Sequence, residues 1–108
     1  MKINDVLECL NKVLDSERGE DSKVQGHLIA MTEIKKSMGP YKHAYTHIYY
    51  IDLNNKEKYE YCTGDVMDRC TIDKEDKLKE KSEKAALTKL FRRITSPKLW
   101  DELLTGNV

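Results

Sequence analysis

The chain has 108 residues, 39% hydrophobic and 35% charged, with 19 basic and 19 acidic side chains and a formal net charge of zero. That size and balance describe one globular domain, residues 1–108, with a lean core and a heavily solvated surface. Zero net charge argues against a polyanion coat over the whole surface, no window approaches a membrane span, and Cys9, Cys62 and Cys70 are too irregularly spaced for a disulfide framework, so a cytoplasmic protein with reduced thiols and no membrane partner is expected.

Ile3, Val6, Leu7, Leu10, Val13 and Leu14 recur at helical spacing, which predicts an amphipathic first helix stopping near Gly19. Asn4 or Asp5 is the expected cap. Val24–Lys36 is the first strand candidate: Leu28, Ala30, Thr32 and Ile34 share one face, and His27, Ile29, Met31 and Glu33 the other. Ser37–Pro40 reads as a turn, because the residue before proline is pushed out of the helical region and Gly39 permits unusual φ. All six tyrosines lie between Tyr41 and Tyr61. Tyr45, His47, Tyr49, Ile51 and Leu53 alternate with Ala44, Thr46, Ile48 and Tyr50, the period of a strand. Asn54-Asn55 is the expected turn, tolerant of positive φ, and Lys58–Cys62 returns as the second arm of a hairpin.

Thr63–Ile72 shows no period and reads as a loop. The charged run from Asp73 flows into the apolar stripe Leu87, Leu90, Phe91 and Ile94, which predicts a helix over Lys74–Ile94 with its first half mostly in water. Ser96-Pro97 starts a short last helix, with Leu99, Trp100, Leu103 and Leu104 on one face and Gly106 at its end. The order predicts an α+β fold: a two-layer α-β-β-β-α sandwich, a three-stranded antiparallel sheet with helices on one face, plus a short C-terminal helix. Its expected core is Leu7, Leu10, Leu14, Ile48, Leu87, Leu90, Phe91 and Ile94.

Three constellations bear on function. His43, His47, Cys62 and Cys70 are metal-ligating types, yet on a strand rising roughly 3.3 Å per residue the two histidines stand about 13 Å apart and cannot share an ion. No metal and no other cofactor is expected. Glu33-Ile34-Lys35 spells E-x-K, which with a further aspartate holds a divalent ion in nucleases built on an αβββα core. Glu and Lys are abundant here and Asp21 and Asp52 are only nominal partners, so no catalytic residue is assigned. Lys77, Lys81 and Lys84 fall at i, i+4, i+7 with Lys79 alongside, and the stretch 79–98 carries a net +5. Such lysines either contact phosphates or form a solvated face balanced by Glu80 and Glu83.

The element order, the Gly39-Pro40-Tyr41-Lys42-His43 segment entering the middle strand, and the lysine-rich start of a helix carrying Ala85-Ala86 resemble the double-stranded RNA-binding domain, over about Asn4–Ile94. The resemblance implies that Lys42 and His43 enter a minor groove while Lys77, Lys79, Lys81 and Lys84 span the adjoining phosphates, without catalysis. The family has one residue between its glycine-proline and its histidine, where this chain has two. A hairpin followed by EKSEKAALTKLFRRI also resembles the core of ring-forming single-strand annealing proteins, which hold strands on basic and aromatic side chains. A third reading is a small adaptor or inhibitor that meets a protein partner through its sheet or tyrosine-rich surface.

Overall fold

The structure is a computed structural model describing residues 2–69 and 74–108. Six elements follow in order: α1 (Ile3–Arg18), β1 (Gly26–Lys36), β2 (Tyr41–Asp52), β3 (Lys58–Arg69), α2 (Glu75–Ile94) and α3 (Pro97–Thr105). The strands form one antiparallel sheet in the order β1-β2-β3. Helix α1 packs on β1, α2 crosses β3 and β2, and α3 closes against both helices. This is the α+β layout expected from the sequence.

The period-two pattern of β2 decides which face is covered. Ala44, Thr46, Ile48 and Tyr50 are buried beneath the helices, and their odd-numbered neighbours line the open face. Ile3, Leu7 and Leu14 of α1, Leu28, Ile48, Tyr50, Tyr61 and Cys62 of the sheet, Ala86 and Leu90 of α2 and Leu103 of α3 make the main core. Of the expected core, Leu10, Leu87 and Ile94 are only half-buried, and Phe91 is 42% exposed because the helix turns it to the solvent side. The first half of α2 is not a helix in water. Leu78 and Ser82 are buried on the sheet, and Leu78 forms a second small cluster with Ala44, Ile34 and Val66.

Small residues bring α2 close. The Ser82 hydroxyl meets that of Thr46 at 2.7 Å, and Thr46 meets Thr32 at 3.0 Å, so the buried hydroxyls satisfy one another. A Cβ on Gly64 would land on the backbone of Ser82 and Ala86.

Three features differ from the sequence reading. Strand β3 continues through Thr63 to Arg69, where a loop was expected. Ile48 pairs with Cys62 but Tyr49 pairs with Glu60, leaving Tyr61 as a bulge; Tyr61 and Cys62 are both buried, which breaks the alternation on which strand recognition depends. Residues 70–72 of that expected loop, and Asp73, lie outside the described residues. Helix α1 is capped neither by Asn4 nor by Asp5: the Lys2 carbonyl accepts the Asp5 and Val6 amides, and Asp5 sits in the first turn. In the second hairpin turn the positive φ falls on Lys56, while the Asn55 side chain accepts the Glu57 amide. Gly19 and Gly106 end α1 and α3 with positive φ as expected.

Arg18 ties the two ends of the chain together. Its guanidinium, almost wholly buried, donates to the carbonyls of Gly26 (2.9 Å), Leu103 and Leu104 (3.2 Å), and to the Tyr50 hydroxyl (3.0 Å). Each nitrogen of the guanidinium finds an acceptor, which is the condition for keeping a charge inside.

Candidate nucleic-acid interface

The end of the sheet nearest the β1–β2 turn gathers the basic residues. Register places Lys36 opposite Lys42, Tyr41 opposite Arg69 and Lys42 opposite Asp68. Successive side chains of a strand point to opposite faces, so Lys42 and His43 diverge. Lys42 points under α2, where its side chain, only 14% exposed, pairs through its ammonium with the carboxylate of Glu75. That contact holds the Glu75 carboxyl below its ordinary value. His43 lies on the open face, with Nδ1 2.9 Å from the Tyr45 hydroxyl and Nε2 3.7 Å from Asp65. The two residues expected to enter a groove together are thus separated by the sheet.

On α2, Lys77, Lys81 and Lys84 are exposed on one side. Lys79 is half-buried on the opposite flank, the flank of Glu75 and Glu83, because two residues along a helix turn the side chain through roughly 200°. Glu83 accepts from the Thr32 hydroxyl of β1, whereas Lys81 reaches Asp68 of β3 at 3.2 Å, which marks the two flanks. The Lys81 hydrogen bond, with the Arg69 amide behind it, lowers the Asp68 pKa. Arg69, Lys74, Lys77 and Lys81, with Asp68 and Leu78, line a cleft of about 240 Å³ where β3 ends and α2 begins. Sequence reasoning missed Arg69 and Lys74. Arg69 fell in an expected loop, and only a strand carried on to that point puts it opposite Tyr41.

The remaining basic residues of α2 are largely committed to the edge of β3. Lys89 donates to the Thr63 carbonyl at 2.9 Å, and Arg93 donates to the Tyr61 carbonyl while lying 4.5 Å over the Tyr61 ring. Beside them, burial pushes the Cys62 thiol up to about 11, so it stays protonated and inert at neutral pH.

The open face carries an aromatic row. Ring centroids of His43 and Tyr45 are 4.6 Å apart, Tyr45 and His47 6.3 Å, and His47 and Tyr49 5.8 Å. Lys35 lies over Tyr45 and Lys58 over Tyr49, at 5.5 and 4.4 Å. His47 bridges Glu60 (2.8 Å) and Glu33 (3.3 Å), and the Glu60 hydrogen bond is the main cause of its raised pKa. Of the E-x-K motif, Glu33 and Lys35 share this face 3.5 Å apart. Asp52 pairs with Gly26 at the far end of β1, and Asp21 lies in the connection after α1, so neither joins them. Among the described residues no group of three or more His, Cys, Asp or Glu side chains is arranged to hold a metal ion, since Glu33 and Glu60 meet opposite nitrogens of the His47 ring. Cys62 is buried on the helix-covered side, away from both histidines, and Cys70 lies outside the described residues. No helix of the described residues is long and apolar enough to cross a membrane.

No family model, no curated protein and no solved structure matches this chain.

Proposed function

We propose that this protein is a non-catalytic module that binds double-stranded or structured RNA through the end of the molecule where the β1–β2 turn meets the start of α2. The observation that carries the reading is the cleft lined by Arg69, Lys74, Lys77 and Lys81, with Lys84 farther along the same side of the helix. Cations spaced along a helix give affinity for a phosphate backbone without reading sequence. Lys77 to Lys84 spans about 10 Å at the rise of an α-helix, enough to follow successive phosphates. The preference for an RNA duplex rests on the α-β-β-β-α order shared with the double-stranded RNA-binding domain, whose contacts read A-form shape.

In this reading the phosphate contacts come from Arg69, Lys74, Lys77, Lys81 and Lys84. Lys42 neutralises Glu75 and keeps a carboxylate from facing the polyanion. Lys79 and His43 stand off the surface. Asp68 in the lining of the cleft keeps the affinity modest and strongly dependent on salt. The aromatic row supports single-strand annealing poorly, because lysines and neighbouring rings already occupy the faces on which bases would stack.

A second reading draws on the uncovered aromatic face itself: an adaptor or inhibitor that docks a protein there. Fluorescence anisotropy at low salt with duplex RNA, duplex DNA and single-stranded RNA separates the readings. Tightest binding to duplex RNA, with the RNA left intact when magnesium is added, is the expected result. Equal or tighter binding to single strands contradicts it, and no binding to any of the three leaves the adaptor reading standing.

A further inference from the structure

The two edges of the sheet are treated differently. On β3, Arg93 and Lys89 cover the outward carbonyls of Tyr61 and Thr63 at the bulge. On β1, the Asn11 side chain of α1 acts as a short strand: its amide donates to the Leu28 carbonyl at 2.9 Å and its oxygen accepts the Leu28 N–H at 2.8 Å. Arg18 covers the Gly26 carbonyl beside it. These contacts show that the even-numbered residues of β1 turn their backbone groups outward, away from β2. Beyond Leu28 the cover ends. Among the described residues nothing pairs with the outward N–H and C=O groups of Ala30, Thr32, Ile34 and Lys36. An uncovered run of this kind is a template for another strand.

We propose that the free half of β1 pairs antiparallel with the same strand of a second copy of this chain, about a two-fold axis at Ile34, joining two three-stranded sheets into one of six. The sequence of the edge is complementary to itself in this register. Ile34 faces Ile34 of the second copy, Thr32 faces Lys36, and Glu33 faces Lys35 on the open side. The E-x-K spelling thereby becomes a pair of cross-strand ion pairs, the arrangement that stabilises adjacent strands. Shifting the pairing by two residues toward Leu28 sets Glu33 against Glu33, and shifting it by four runs the second copy's strand into the position Asn11 already occupies. Ile34 is only half-buried, although it packs in the small cluster with Ala44 and Leu78. Pairing would complete its burial and bring the turn that carries Met38, 85% exposed, over Ala30.

Sedimentation equilibrium of the full chain, from micromolar to sub-millimolar concentration, tests the pairing. The wild type should dimerise. Glu33→Lys should weaken the dimer about tenfold or more, since it sets like charges opposite each other at two symmetric places. Adding Lys35→Glu to that variant should restore the wild-type constant to within about threefold. Lys36→Pro removes an outward N–H that the monomer does not use, so it should weaken the dimer while the circular-dichroism spectrum stays unchanged. In the wild type, the amides of Thr32 and Ile34 should gain protection from hydrogen exchange as concentration rises. A wild type that is monomeric throughout, a dimer indifferent to Lys36→Pro, or a double variant no tighter than Glu33→Lys alone would overturn the proposal.

Discussion

Tyr50 and Tyr61 are both buried, but their hydroxyls stand in different surroundings. The Tyr50 hydroxyl accepts from Arg18 at 3.0 Å and lies 3.3 Å from the Leu103 carbonyl, to which it donates. The Tyr61 hydroxyl has no hydrogen-bond partner among the described residues. Removing a bonded group leaves its partner stranded, whereas removing an unbonded one relieves a desolvation cost. Tyr50→Phe should therefore lose about 1.5–3 kcal/mol in urea unfolding, and Tyr61→Phe should lose nothing or gain about 1 kcal/mol. Equal losses in the two variants would contradict this assignment. The His47 bridge makes a prediction in pH. Its pKa is raised above 6.5, chiefly by Glu60, so its stabilisation is complete below that value and lost as pH rises through the folded pKa. The Glu60 pKa is lowered below 4.5, by Thr63 first and His47 second, so its contribution is present above 4.5 and lost as pH falls. In Glu60→Gln the NMR titration midpoint of His47 should drop toward 6.5; an unmoved midpoint would show that the bridge does not hold in solution.

At the scale of elements, the crossing of α2 over β3 depends on Gly64. Gly64→Ala should destabilise by about 1–3 kcal/mol or more, because the new Cβ meets backbone, which cannot swing aside as a side chain would. A change within about 0.5 kcal/mol, the range of surface sites, would mean the helix rides higher than described. The same crossing explains what the sequence could and could not disclose. Element order, the inward face of β2 and the glycine stops were legible, since each rests on local periodicity or a single permissive residue. The end of β3 was not, because the bulge at Tyr61 puts two inward residues side by side and the strand then closes over a glycine and charged residues. The docking of the first half of α2 escaped for a related reason. Leu78 and Ser82 are too few and too small to register as a stripe, yet Thr46 and Gly64 leave room for them. The candidate site is affected likewise: Arg69 stands on the part of β3 that shows no period, and the helical turn carries Lys79 to the flank opposite Lys77.

For the whole molecule, zero net charge conceals an uneven surface. Much of the basic excess of α2 is bound to β3 through Lys89 and Arg93, and the cleft beside the β1–β2 turn is where Arg69, Lys74, Lys77 and Lys81 converge. In the proposed function this cleft and the adjoining side of α2 contact RNA phosphates. The most direct test of that contact is the slope of log binding constant against log salt concentration for duplex RNA, measured for the wild type, for Lys77→Ala/Lys84→Ala and for Lys79→Ala. Each lysine that leaves a phosphate reduces the slope by about one. The slope should be shallower by about two in the Lys77→Ala/Lys84→Ala variant and unchanged in Lys79→Ala; an unchanged slope in the double variant, or an equal effect from Lys79→Ala, would contradict phosphate contact by this side of the helix.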